Sequence, residues 1–319
     1  MLLVRRIALA LAVVSAVGAP RAFACSACGC TLSSDWASQG LAASGGWRAD
    51  FRFDYFNQDQ LRSGTDSVPR SSLPIPNDEE VQQYTINRNY TLNLDYSPNK
   101  NWGVNFLLPW YDRSHGTIAE GDTEVSTSHD KGVGDLRIIG RYMGLGEQRH
   151  TGIEFGLKLP TGQFNSDFVT GPQAGEPLDR GLQLGTGTTD LLLGAYNFGG
   201  IAENWDYFAH ALLTQPLDSR EHFRPGTGLN FNLGARYTAS ASFVPQLQVN
   251  ARFEKRESGA NADVENSGAS LLYLSPGVTW NISRRFSAYA FFQVPLYQRV
   301  NGLQIEATHT ASIGMHYIF

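Results

Sequence analysis

Three cysteines stand within one short stretch, Cys25-Ser-Ala-Cys28-Gly-Cys30, and the chain has no others. Cys-x-x-Cys-x-Cys spacing brings three thiolates within reach of one soft metal ion such as Cu(I). In an oxidising compartment the plain alternative is a disulfide between two of them, or a redox-active thiol. Lipidation of Cys25 is a third reading, poorly served by Ala22-Phe23-Ala24, which lacks the usual Leu three residues before the cysteine. The absence of His directly after Cys28 argues against covalent c-type haem. Spacing alone leaves the disulfide, copper and lipid readings open, so copper is the one cofactor in view and it is not assigned.

The other groups with chemical capacity are dispersed. His115 and His129 fall in one predicted outer loop with Asp112, Asp122, Glu124 and Asp130, where metal capture competes with plain solvation. An esterase needs a Ser and a His on one face with an orienting partner. His309 and Ser312 are three apart on a strand and so face opposite ways. No catalytic residue is assigned and no enzyme is expected.

The N-terminus sets the compartment of these groups. Arg5 and Arg6 precede the apolar run from Ile7 to Val17, and Ala22-Phe23-Ala24 offers a small-x-small cleavage site. This is the order of a secretory signal peptide over 1–24. No later segment holds the ~18 apolar residues of a membrane helix. Removing the signal takes Lys+Arg from 25 to 22 against 30 Asp+Glu, and an acidic chain without basic clusters is a poor nucleic-acid binder.

The elements that would position side chains are strands. Trp47, Ala49, Phe51, Phe53 and Tyr55 alternate with Arg48, Asp50, Arg52 and Asp54. The same period of two marks Tyr90–Tyr96, Trp102–Trp110, Leu229–Tyr237 and Leu247–Phe253, with fainter strands at 132–144, 150–160, 187–198, 205–217, 269–282 and 285–298. The final residues Ala311, Ile313, Met315, Tyr317 and Phe319 alternate with Thr310, Ser312, Gly314 and His316. One face suits lipid and the other a wet lumen. Trp47, Tyr55, Trp102, Trp110, Trp205, Trp280, Tyr317 and Phe319 sit at the ends of apolar faces, as interfacial girdles require. Short connectors near 97–100, 144–149, 199–204, 240–242 and 282–285 alternate with long ones near 58–81, 113–131, 161–186, 217–227, 256–268 and 299–304. That asymmetry fits short periplasmic turns and long outer loops. Phe164, Phe168 and Val169 in the 161–186 loop would either fold inward or cover the mouth.

Parity then assigns the lumen. Arg48, Asp50, Arg52, Asp54, Asp95, Asp135, Arg137, Arg141, Glu154, Lys158, Arg236, Arg252 and Glu254 fall on the polar face, with Asp190 among them. A barrel of about twelve strands is narrow enough for opposed charges to pair across it. With neither sign in excess, weak ion selectivity is expected.

Three stretches resemble a known family. They are Gly132-Val-Gly-Asp-Leu136 followed by Arg141-Tyr142, then Gly156-Leu-Lys-Leu-Pro-Thr-Gly162, then Gly185-Thr-Gly-Thr-Thr-Asp190 followed by Leu193-Gly194-Ala-Tyr196. Their order and spacing resemble the transporter-like outer-membrane barrels grouped with the phenol meta-pathway degradation proteins, from about Trp47 onward. Leu184 and Thr188 depart from that family's usual Pro and Ser. The resemblance implies a barrel and, more loosely, uptake of aromatic or other small organic compounds. The glycines themselves read as shape determinants where loops meet the wall.

The expectation is an all-β, transmembrane antiparallel up-and-down barrel of about twelve strands over 47–319, behind a periplasmic cysteine-bearing segment over 25–46. Both termini would be periplasmic in the bacterial outer membrane. Tyr317 and Phe319 would be read by the barrel-assembly machinery. The expected partners are the bilayer and a small solute, and, on the alternative reading of Cys25, Cys28 and Cys30, a periplasmic redox or metal-carrying protein.

Overall fold

The computed structural model describes Leu32, residues 45–145 and residues 150–319. Cys25, Cys28 and Cys30 lie outside the described residues, as does the expected signal peptide. The strands are β1 (Gly46–Gly64), β2 (Asp66–Ser67), β3 (Val81–Ser97), β4 (Trp102–Ile118), β5 (Ser126–Val133), β6 (Leu136–Leu145) and β7 (Thr151–Leu159). They continue with β8 (Asp190–Ala202), β9 (Trp205–Pro216), β10 (Gly228–Tyr237), β11 (Phe243–Glu254), β12 (Ala269–Asn281) and β13 (Phe286–Ile318). Each main strand pairs antiparallel with its neighbours, and β1 pairs with β13 from Arg48↔Ile318 to Gly64↔Val300, which closes the sheet.

Two stretches of strand do not correspond one to one with passes across the wall. β13 spans 33 residues, yet its first part pairs with β12 and its second with β1. The rings of Tyr289 and His316 lie 4.7 Å apart, which a straight strand rising ~3.3 Å per residue forbids. The chain reverses at Asn301-Gly302, where Gly302 takes φ +57°, a conformation glycine adopts freely. Conversely, β5 and β6 share one neighbour: β4 pairs with β5 through Trp110–Thr117 and with β6 through Trp102–Leu107. They form one pass broken at Gly134-Asp135. Counted this way, and leaving aside the short β2, twelve passes make the closed barrel among the described residues, as the alternation predicts.

Two expected long connectors differ. Residues 113–118 and 126–131 are strand, leaving only 119–125 as connector, and 299–304 is the tight turn just described. The first stretch is mostly polar on both faces, so the period of two fades there although the hydrogen-bond ladder continues. The remaining long connectors, 65–80, 160–189, 217–227 and 255–268, share one rim, and 98–101, 203–204, 238–242 and 282–285 share the other.

The wall is inverted relative to a soluble domain. Phe51, Leu92, Phe155, Leu193, Phe231, Leu247, Ile313 and Met315 point outward and are exposed, while Arg48, Asp95, Gln248, Asn250, Gln293 and Ser312 are buried within. At the short-connector rim, aromatic pairs face outward across strands: Trp47–Tyr96, Trp102–Tyr142, Trp205–Tyr237 and Phe243–Trp280, with centroids 4.7 to 5.8 Å apart. Amphipathic rings in a belt beside an apolar band suit a bilayer interface. No helix among the described residues is long and apolar enough to cross a membrane. Tyr317 and Phe319 also face outward, and the Phe319 N–H donates to Trp47 O at 3.1 Å.

Candidate functional site

The inward charges pair, and glycines decide how. Arg48 on β1 stands directly across from Asp95 on β3 and donates to it at 2.7 Å. Arg141 on β6 is two strands away from Asp95, with Gly103 of β4 opposite it. A Cβ at Gly103 would meet the Arg141 guanidinium at 2.5 Å, so glycine there leaves the path by which Arg141 reaches Asp95 and donates to Ser97 Oγ at 2.7 Å. Glu154 on β7 passes over Gly194 of β8, whose Cβ would lie 2.7 Å from its carboxylate, to meet His210 Nε2 on β9 at 2.9 Å. Asp50 takes His316 Nδ1 at 2.8 Å and accepts the Tyr289 hydroxyl at 3.0 Å. Arg52 donates to Asp54 at 2.9 Å, and Arg236 meets Asp206 at 3.5 Å.

Nearer the long-connector rim, the three glycine-rich blocks meet. Asp135, at the break between β5 and β6, accepts the N–H of Gly162 at 3.0 Å on one oxygen. Its other oxygen accepts the N–H and hydroxyl of Thr186, each at 2.9 Å. A Cβ at Gly162 would lie 2.8 Å from the Gly185 Cα, so only glycine allows this approach. Lys158 Nζ bridges Asp190 at 2.7 Å and Asp135 at 3.3 Å. The strand break therefore has a purpose: it frees one carboxylate to pin both ends of the 160–189 loop.

That loop turns inward. Arg113 on β4 donates to Leu182 O at 2.7 Å and to Asn87 at 2.8 Å. Gln183 donates to Ser166 O and Leu178 O at 3.0 Å. Phe168, Leu178, Leu182 and Leu184 are buried, whereas Val169 stays exposed. Arg180 lies over the rings of Phe164 and Phe223 at 4.7 and 5.0 Å and donates to Glu221 at 3.0 Å, which ties this loop to 217–227. Beneath lies a chamber of about 180 Å³ bordered by Tyr111, Arg137, Lys158, Leu184, Asp190 and Phe223. Above it, burial and then the nearby Glu257, Asp263 and Glu80 hold the Asp179 carboxyl well above the usual range. Burial likewise lifts Asp263 to about 6, partly opposed by hydrogen bonds from Asn266.

Of the residues the sequence places in the lumen, Arg48, Asp50, Asp54, Asp95, Asp135, Arg141, Glu154, Lys158 and Arg236 are buried. Arg52, Arg137, Arg252 and Glu254 are half-buried, and Arg252 donates to Glu254 at 2.9 Å. His316, on the polar face of the last strand as alternation places it, pairs with Asp50; the sequence does not single out His210, which pairs with Glu154, or Arg113. Each lies on the same parity as its inward neighbours, and that is the signal that finds them. His115 and Asp112 stand on β4 and His129 on β5, not in a loop; His129 Nε2 meets Asp112 at 3.0 Å, while buried His115 bonds Thr85 at 2.8 Å. No cluster able to hold a metal occurs among the described residues. Leu32 is buried against Tyr289 and Phe291 inside the barrel, and its carbonyl accepts from Arg52 at 3.3 Å.

No family model matches the chain, and no curated protein matches it. Among solved structures, an outer membrane channel from Pseudomonas putida F1 superposes with a TM-score of 0.65 at 12% identity, over 86% of this chain and 96% of that one. The translocator domain of the autotransporter NalP from Neisseria meningitidis gives 0.49 at 10% identity, over 88% and 91%. The toluene transporter TbuX of Ralstonia pickettii gives 0.44 at 11% identity, over 90% and 92%. The first of these shares the barrel fold.

Proposed function

We propose that this chain is an outer-membrane channel for passive passage of a small organic solute, with its short connectors and both termini on the periplasmic side. The observation that carries this reading is a closed barrel with an apolar, aromatic-belted exterior, a polar interior and a chamber beneath an in-folded loop. The meeting of the three glycine-rich blocks supports the resemblance to the barrels grouped with phenol meta-pathway proteins, and with it an organic solute. Outward-facing Tyr317 and Phe319 support their role as the assembly signal. Purified protein in a planar bilayer is expected to conduct in discrete steps; a tight seal at every voltage and salt concentration overturns the reading.

Leu32 favours a second role beside the first. Its seat in the lumen, two residues after Cys30, supports reading Cys25, Cys28 and Cys30 as a copper or redox site that serves a periplasmic partner. Native mass spectrometry of protein purified from outer membranes is expected to show metal mass that is lost in the triple Cys→Ser variant. A mass two hydrogens below that of the reduced chain, with no metal, assigns a plain disulfide.

A further inference from the structure

Among the cations that border the chamber, Arg137 stands apart. It lies on β6, opposite Leu107 of β4 on one side and Lys158 of β7 on the other. Cross-strand partners share a face, and Lys158 points into the chamber, so Arg137 does too; both border it. Lys158 is committed to Asp190 and Asp135. Arg113 is committed to Asn87 and the Leu182 carbonyl, Arg180 to Glu221, and Arg252 to Glu254. Among the described residues, Arg137 has no ion-pair or hydrogen-bond partner, and its immediate sheet neighbour is another cation.

A half-buried guanidinium beside a like charge is an unfavourable arrangement unless something anionic visits it. Its planar fork of donors matches a carboxylate with two parallel hydrogen bonds. The rest of the chamber is not built for a highly charged ligand. Tyr111, Leu184, Phe223 and Pro225 contribute apolar surface, and the other cations already have their counter-charges. The chamber measures about 180 Å³, comparable to apolar cavities of roughly 150 Å³ that take up benzene.

We infer that Arg137 is the solute-binding residue of the chamber, holding the carboxylate of a small organic acid while Tyr111, Leu184 and Phe223 contact its apolar body. This deepens the channel reading and rests on it for how the acid arrives. Binding is weak, in the millimolar range, because a solute that passes must also leave.

Benzoate serves as probe and benzyl alcohol, the same ring without the charge, as control. Saturation-transfer NMR on the folded barrel in detergent is expected to show saturable benzoate binding that exceeds benzyl alcohol binding. Arg137→Gln is expected to weaken benzoate about tenfold or more, the scale of one lost charged hydrogen-bonding pair, while Arg137→Lys retains part of it. Heat-modifiable migration on gels verifies that each variant is folded. Equal benzoate binding by wild type and Arg137→Gln, or no saturable binding by the folded wild type, overturns the assignment. The measurement needs no conductance: a barrel that binds benzoate but never conducts overturns passage and keeps the site, and one that conducts without binding does the reverse.

Discussion

Asp95 ties β1 and β6 together from its place on β3. It holds two guanidinium groups, Arg48 and Arg141, whose side chains are 1% and 2% exposed. Replacing one partner of such a set leaves charges uncompensated in a dry interior, which costs on the order of 3–5 kcal/mol. Asp95→Asn is therefore expected to lower barrel stability by that amount in urea unfolding from detergent. Gly103→Ala, which pushes the Arg141 guanidinium off its path, is expected to act in the same direction by less; stability unchanged in Asp95→Asn would show the cations are solvated where they sit. These pairings explain what could and could not be read from the sequence at this scale. Parity alone put Arg48, Asp95 and Arg141 on one face. Their meeting depends on the register of three strands at once, and on Gly103 being the residue between them. An inward glycine directly opposite a long charged residue is the mark to look for: Gly103 faces Arg141, and Gly194 faces Glu154.

Among the elements, the 160–189 and 255–268 connectors are joined by acids. Asp179 at the head of a short 3-10 turn (Arg180–Leu182) lies near Glu257 and Asp263 of the second connector and Glu80 just before β3. Asp263 titrates at about 6 in the folded protein against an ordinary 3.8, chiefly through burial. The folded connectors thus hold its proton more tightly than the unfolded chain does. The stability this contributes is full below about pH 4 and is lost as pH rises through 6. Hydrogen exchange over 255–268 is expected to accelerate between pH 5 and pH 7, after correction for intrinsic rates, and Asp263→Asn is expected to flatten that rise. An equal pH profile in both proteins would remove Asp263 from the account. That these acids converge is not legible in the sequence, because convergence follows from the inward fold of 160–189 that Asp135 and Arg113 impose. The turn at Asn301-Gly302 was hidden for another reason. Its flanks, Gln298, Arg299 and Gln304, look like an exposed loop, but Gln298 and Gln304 are buried in a polar lumen.

For the molecule as a whole, alternation was sufficient to specify the architecture because a barrel wall has only two faces, and every strand must answer to both. What alternation leaves undetermined is the filling: the inward loop, the Leu32 seat and the unpaired Arg137 depend on residues far apart in the chain. The seam between β1 and β13 has a consequence for how such a wall can come into being. It joins Arg48 to Ile318, so the first strand waits for a partner synthesised some 270 residues later. Until then its edge presents a row of unsatisfied N–H and C=O groups, each costing several kcal/mol in hydrocarbon. An open sheet therefore has no resting place inside the bilayer. Assembly has to carry the strands to the brink of closure at the membrane's wet boundary, or lend them a temporary edge, and the cylinder enters lipid nearly whole.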